Sequence, residues 1–327
     1  MGRNTRNIER LGREGLTIKL PVDEQGYAGR ECPVPECLGH FKLVFGTGLP
    51  DTTHCICPYC GHRGDQKTFW TNEQNEYARS IVLREMTRAV HAGLKGLEFE
   101  TKPKGAYGIG FSLKLKPSAL PSVHSYRERE LETHVDCESC TLRYAVYGVF
   151  AWCPDCGSHN SRQILDRNLA LVGKILDLAL TQETELQLAL AQRALEGVVA
   201  AFDGYGRAAV EAHMAAATPG AFAQSTSFQN IEAARDRVRA GYNHDLAACM
   251  APTEWDLVTR IFQQRHVLAH RMGVADADYL RKSGDTVAPG RLVRIEVEEI
   301  RAAIALLLKT ATGLSAALSA SAPRKVP

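Results

Sequence analysis

Two cysteine pairs close to residue 150 limit the local fold more than any other feature of the chain. The stretches VDCESC and WCPDCG place Cys137 with Cys140 and Cys153 with Cys156, with twelve residues between the pairs. Two thiols separated by two residues share one tight turn, and two such turns bring four sulfurs to tetrahedral reach of a single ion. Gly157, directly after the second pair, supplies the backbone freedom such a turn uses. The competing chemistry, a redox dithiol, normally opens a helix in a βαβ unit, whereas these pairs border strand-like runs such as LRYAVYGVF. The spacing predicts a zinc ribbon over residues 131–160 with Cys137, Cys140, Cys153 and Cys156 as ligands.

A second cysteine module precedes it. ECPVPEC contains Cys32 and Cys37, and HCICPYCGH contains Cys55, Cys57 and Cys60, so five thiols compete for four positions. The expected set is Cys32, Cys37, Cys57 and Cys60, because CPYCG repeats the form of CPDCG and Cys55 would force a narrow CxC bite. Cys55, His40, His54 and His62 stay open as alternative ligands. A ribbon is thus expected over 29–70. Four sulfurs close the coordination sphere and leave no position for water, so both Zn2+ ions are expected to be structural, with no catalytic metal.

Eight of the ten cysteines fall into these close pairs in a chain of 327 residues, which fits metal binding in a reducing compartment better than a disulfide scaffold. The first residues carry Arg3, Arg6, Arg10 and Arg13 but no apolar signal-peptide core. The apolar stretches 169–180 and 302–317 are interrupted by Lys174 and Asp177 and by Lys309, whereas a spanning helix needs roughly 20 nearly uncharged residues. A soluble, cytoplasmic protein without a membrane partner is expected. The net charge of +2 names no partner by itself, so any basic surface must be local.

Composition changes near residue 160, from Gly, Pro and cysteine punctuation to Ala and Leu at helical spacing with one further cysteine, Cys249, read as a small buried thiol. The fold class expected is multi-domain. Two small β ribbons, joined over 71–130 by a helix and a sheet segment, precede an all-α bundle over 161–320; residues 1–28 form a basic N-terminal segment and 321–327 a disordered tail. No longer-period repeat is evident. In the connector, Thr71 and Gln74 make a capping-box pattern for a helix over 71–94 with an apolar stripe of Tyr77, Ile81, Met86, Ala89 and Val90. GFSLKLK alternates as a strand should. Lys102, Lys104, Lys114 and Lys116, with Tyr107 and Phe111, could contact RNA phosphates and bases, or could simply solvate an edge strand. Helices are expected over 164–180, 183–202 (ending at a DGYG break), 228–240, 253–272 and 296–318.

The sequence contains RxxxxH three times, ending at His134, His244 and His270. The string alone decides nothing. Only Arg265 to His270 falls inside a predicted helix, which opens at Pro252 and Thr253 with Asp256 as cap partner and stops at Gly273. His266 and His270 lie one turn apart, while Arg265 and His270 diverge by about 140 degrees, so one helix does not focus both on one phosphate. Two copies of the helix in a dimer could. Asp276, Asp278 and Tyr279 read as a following loop of surface or supporting groups. GTGLPD and GAYGIGF lack the strand-to-helix setting of a phosphate loop.

The segment FQNIEAARDRVRAGYNHDLAACMAPTEWDLVTRIFQQRHVLAHRMGVADADYL resembles the core of the HEPN superfamily, all-α domains whose active members are ribonucleases, and the resemblance spans roughly 163–320. It rests on Arg265, the polar His266 directly after it, and His270. It implies a HEPN-like bundle acting as a homodimer that cleaves RNA without metal. His270 would move a proton, Arg265 would hold the phosphate, and His266 would orient the pair, giving 2′,3′-cyclic phosphate and 5′-hydroxyl ends. Defence or toxin-like RNA cleavage fits such an activity, with the ribbons recognising RNA or a protein partner. The alternative is a non-catalytic nucleic-acid- or protein-binding adaptor in which the helical part only dimerises.

Overall fold

The computed structural model describes residues 16–95, 98–100, 112–116, 118–131, 133–217 and 227–321. Contacts divide the described residues into two units, one within 1–55, 63–136 and 141–147, the other within 56–62, 137–140 and 148–327. Small antiparallel sheets occupy the N-terminal part, and the rest is helical.

The first unit is organised by a four-stranded antiparallel sheet. Its strands are β1 (Tyr27–Glu31), β2 (His40–Val44), β7 (Thr133–Asp136) and β8 (Arg143–Val146), in the order β1-β2-β8-β7. Leu43 faces Tyr144 across the central β2–β8 pair, and Val135 faces Tyr144 from the other side. Hairpins from the two cysteine modules therefore share one sheet. Tyr27, Leu131 and Ala145 are buried together, and Lys42, although buried, is neutralised by Asp23 at 2.8 Å. Two further two-stranded pairs join β3 (His54–Ile56) to β4 (Arg63–Asp65) and β5 (Phe99–Glu100) to β6 (Ser112–Leu113).

Helix α1 (Asn72–Lys95) starts at the expected capping box. Thr71 N donates to Gln74 Oε1 at 3.3 Å, and Gln74 N donates to Thr71 Oγ1 at 3.1 Å. Gln74 also donates from Nε2 to the Gly29 carbonyl at 2.8 Å, which ties the helix start to β1. Beyond that first turn the helix is not buried as its stripe suggested. Among the described residues only Gln74 and Ala78 of α1 are buried, while Met86 and Val90 are exposed. Of the strand expected from GFSLKLK, Ser112–Leu113 are strand, with Leu113 exposed, and 114–116 are not, while residues 110–111 lie outside the described residues; alternation marks a strand only where a partner covers one face.

The second unit holds α2 (Ser161–Ala179), α3 (Thr184–Ala217), α4 (Ile231–Tyr242), α5 (Pro252–Arg271), α6 (Ala277–Ser283) and α7 (Val297–Ser321). Leu165, Leu169, Val172 and Leu176 recur at helical spacing on α2 and enter one core with Leu195, Val198 and Phe202 of α3, Val258, Ile261 and Phe262 of α5, and Ile300, Ala303, Leu307 and Leu314 of α7. Each large apolar side chain in this set contributes about 2 kcal/mol by leaving water. Residues 297–320 are long and apolar enough to cross a membrane by length and composition, and the buried face of this helix packs into that core.

Several sequence expectations need correction in this unit. DGYG does not end a helix: α3 runs through Gly204 and Gly206 to Ala217. A Cβ on Gly206 would stand 2.5 Å from the Phe228 ring, so this glycine serves close packing rather than chain reversal. The segment read as a loop after Gly273 contains α6, capped by Asp276, whose Oδ1 accepts from Tyr279 N at 2.8 Å. Tyr279 is core, not surface. Cys249, expected to be buried, is exposed in the turn between α4 and α5.

Candidate functional site

Each cysteine pair sits at the tip of a hairpin. Cys32 and Cys37 lie between β1 and β2, Cys57 and Cys60 between β3 and β4, Cys137 and Cys140 between β7 and β8, and Cys153 and Cys156 between the bridged residues Trp152 and His159. In all four, the residue after the second cysteine is left-handed: Leu38 at φ 45°, Gly61 at 71°, Thr141 at 64° and Gly157 at 72°. That turn lets the carbonyl beyond it accept from the first cysteine, as in Cys32 N to Gly39 O at 2.9 Å, Cys57 N to His62 O at 2.8 Å and Cys153 N to Ser158 O at 2.8 Å. Leu38 and Thr141 adopt the turn at a cost of about 1 kcal/mol each that glycine avoids.

Cys32, Cys37, Cys57 and Cys60 form one group of four thiols, and Cys137, Cys140, Cys153 and Cys156 another; within each group all Sγ atoms lie within 4.8 Å of one another. Each group can hold a metal ion. Cys137 and Cys156 are 3.6 Å apart at sulfur, and Cys140 and Cys153 are 3.5 Å apart. A disulfide would require about 2.05 Å. Four sulfurs at about 2.3 Å from a tetrahedral ion stand roughly 3.8 Å apart, so the spacing and the donor set fit. Burial pushes the Cys153 thiol up. At Cys156 burial acts the same way, but hydrogen bonds from Ser158, Cys140 and Cys153 together hold the thiol below its ordinary value. Cys55 lies outside these groups and is buried. His40 also lies outside them, and burial, reinforced by Arg129, lowers its pKa to about 4.

The hairpins pair in a way that no sequence period announced. β2 pairs with β8, and the turns at Cys57 and Cys153 are joined by Ile56 N donating to Pro154 O at 2.7 Å and Trp152 N to Pro58 O at 2.9 Å. Nineteen residues separate Cys37 from Cys57 and twelve separate Cys140 from Cys153, so the correspondence has no fixed period. The repeated CPYCG and CPDCG were its only visible trace.

The second candidate site lies on α5. Pro252 opens the helix, and Ala251 N donates to Glu254 Oε2 at 2.8 Å, so Glu254 rather than Asp256 closes the cap. The helix ends at Arg271, where Met272 turns left-handed. Trp255, Val258, Ile261, Phe262 and Val267 face the core, whereas His266 and His270 are exposed, their ring centroids 4.8 Å apart. His134 belongs to β7 and His244 follows the end of α4, so of the three RxxxxH copies only this one is helical throughout. Burial, then the charges of His270, Lys282 and Arg265, hold His266 below the ordinary imidazole value against Asp278.

Arg265 is half-buried, and its Nη1 reaches Gln229 Oε1 at 3.5 Å. Gln229 Nε2 donates in turn to Asp203 Oδ2 at 3.3 Å. Asp203 is buried, accepts from Phe228 N at 2.6 Å and pairs with Arg207 at 2.9 Å. Sequence reasoning missed Asp203, Arg207 and Gln229 as supports of Arg265. Their signal was the i,i+4 Asp–Arg pair within DGYGR, hidden by reading those glycines as a break. Lys114 and Lys116 are exposed. Lys102, Lys104, Tyr107 and Phe111, and the segments 1–15 and 322–327, lie outside the described residues. No family model matches the chain, and no curated protein or solved structure is matched by it.

Proposed function

We propose that the chain is a metal-independent endoribonuclease of HEPN type that acts as a cytoplasmic homodimer, with a structural Zn2+ in each four-cysteine site and RNA or a protein partner recognised by the cysteine-rich part. The observation that carries this reading is the exposed His266–His270 pair, 4.8 Å apart at the ring centroids, on the outer side of a helix whose opposite face is core. A solvent-facing imidazole pair beside a tethered arginine is suited to proton transfer at a phosphodiester near neutral pH. A neutral His270 accepts the proton of a ribose 2′-hydroxyl as its oxygen attacks the adjacent phosphorus. The bond from phosphorus to the 5′-oxygen breaks, a protonated imidazole supplies the leaving group's proton, and a 2′,3′-cyclic phosphate and a 5′-hydroxyl remain. Arg265 neutralises charge on the non-bridging oxygens. Because Arg265 and His270 diverge by about 140 degrees around one helix, a second copy completes the site. Met272, 87% exposed, and Leu292, 67% exposed and bridged to Val274, offer apolar surface just past the end of α5 for that copy.

Bound Zn2+ would neutralise the clustered thiolates and cross-link two hairpins; the proton chemistry belongs to α5. The test is cleavage of a single-stranded RNA by the purified full-length chain in EDTA, with retained zinc measured in parallel. Cyclic-phosphate ends are expected from the wild type, with a loss of about 10²- to 10⁴-fold in His270→Ala and a comparable loss in Arg265→Ala. Wild-type protein that cleaves no better than either variant would leave the adaptor reading in its place.

A further inference from the structure

A cleft of about 660 Å³ opens in the first unit, and it is lined by residues that no part of the proposed chemistry uses. Lys19, Arg30 and Lys67 bring three positive charges to its wall, and Phe45 and Trp70 bring two aromatic rings. The carboxylate in the lining, Asp65, is engaged locally, since its Oδ1 accepts from Lys67 N at 2.8 Å and caps the short 3₁₀ turn Gln66–Phe69. The wall thus carries an excess of positive charge. Arg30 is buried and held by the Gly29 carbonyl at 2.6 Å, and its guanidinium lies 4.8 Å from the centroid of the Phe45 ring. Phe45 is nevertheless 50% exposed, and Lys19 and Lys67 are exposed.

The Phe45 ring thus meets the Arg30 guanidinium and stays half exposed to a cleft that Lys19 and Lys67 also line. The combination suits a ligand that has flat π-faces and negative charges a few ångströms apart. Nucleotides have both: bases stack on aromatic side chains regardless of identity, while lysines follow the phosphates. A volume of this size is ordinary for a ligand site, and its open form suits a strand passing through.

We propose that this cleft binds a segment of single-stranded RNA, with a base stacked at Phe45 and Trp70 and the flanking phosphates on Lys19 and Lys67. The proposal rests on the ribonuclease reading for its choice of RNA. It also moves the expected RNA contact away from Lys114 and Lys116 to the cleft beside β1.

The test is fluorescence anisotropy of a labelled single-stranded RNA 12-mer with full-length protein carrying His270→Ala, so that cleavage does not interfere. Phe45→Ala in that background is expected to weaken binding about tenfold. Lys19→Glu with Lys67→Glu should flatten the dependence of log affinity on log salt by about 1.4 through two lost phosphate contacts. Lys114→Ala with Lys116→Ala should change neither quantity. The substituted side chains are exposed, and unchanged melting would show that the fold is intact. Affinity unaffected by Phe45→Ala and by the double lysine change would overturn the proposal, as would adenosine monophosphate displacing the 12-mer at a concentration near the RNA's own dissociation constant, which would mark a free-nucleotide site. Loss of binding in these variants from a wild-type protein that cleaves nothing would remove the ribonuclease reading and leave the cleft standing; the reverse pattern would remove the cleft alone.

Discussion

Cys153 and Phe262 are both buried, at 0% and 2% exposure, and burial does opposite things to them. For the Phe262 ring in the helical core, leaving water is itself the stabilising event. For Cys153, burial raises the thiol pKa and opposes the thiolate that would bind a metal. A cation in the four-sulfur group reverses that penalty, because it deprotonates its ligands and neutralises them together. The helical core is complete in its own side chains, with Leu165, Val198, Phe262 and Leu307 all in one cluster. The eight thiols are not part of that cluster, and an ion held by each group would cross-link two hairpin tips by bonds the helical core does not use. The two regions should therefore respond to different perturbations.

Metal removal should separate them most strongly. Four-cysteine zinc sites have apparent binding free energies of about 10–16 kcal/mol, much of which is folding free energy. Stripping metal under reducing conditions, or replacing Cys153 with serine, should expose the amides of Val135 and Tyr144 to hydrogen exchange while most far-ultraviolet helical signal persists. A single cooperative loss of both signals would break the comparison. The converse perturbation is Phe262→Ala, expected to cost about 3–5 kcal/mol through the cavity it opens. Its cost should appear in thermal melting of the helical signal, with metal content per chain unchanged.

How much of this was legible in the sequence follows the same division. Tips of the form CPYCG and CPDCG carry their turn chemistry locally, so Cys137, Cys140, Cys153 and Cys156 could be grouped from spacing, whereas Cys32, Cys37, Cys57 and Cys60 were favoured only by the likeness of the two tips, with Cys55 and three nearby histidines left open until the structure grouped the four thiols. The pairing of β2 with β8 could not, because it joins residues about a hundred positions apart through backbone groups that have no sequence signature. In the helical region the apolar period of α2 and α7 was plain. Gly204 and Gly206 misled because a glycine reads as punctuation until the partner packed against it is known, and that partner, Phe228, lies in another segment. For the α5 site, Arg265, His266 and His270 were legible as residues in a helix. Gln229 and Asp203 behind Arg265 were not, since their contact depends on how that other segment returns to α3.

Gly206→Ala tests the packing reading of that glycine. Helix propensity alone favours alanine by about 1 kcal/mol, whereas a methyl 2.5 Å from the Phe228 ring forces the ring or the backbone to move, a change that usually costs about 1–3 kcal/mol. The two effects oppose each other, and net destabilisation is expected in a urea titration. Adding Phe228→Leu should recover part of the loss, because the clash is with the aromatic ring. Net stabilisation by the single change would mean that propensity decides at this position and that the close approach is easily relaxed.

The smallest effect on stability is expected at the site assigned the chemistry. His266 and His270 are exposed and add little to the core that holds α5 in place. His266 is held below the ordinary imidazole value by burial and by His270, Lys282 and Arg265. A lowered folded value means that the unfolded chain takes up the proton more readily, so stability tied to this group is present above about pH 6.5 and falls as acid charges the ring. Replacing His270 with alanine removes one of those positive neighbours. The variant should therefore melt within about 0.5 kcal/mol of the wild type at pH 7 and lose slightly less stability than the wild type as the pH is lowered to 5. Set beside Phe262→Ala, eight residues and little more than two turns earlier, the pair separates the two faces of α5: one change costs stability through a cavity, the other leaves the fold and removes only what the exposed face does. A large stability loss in His270→Ala would instead make the histidine pair part of the helix's structural support, and the argument from its exposure would fail.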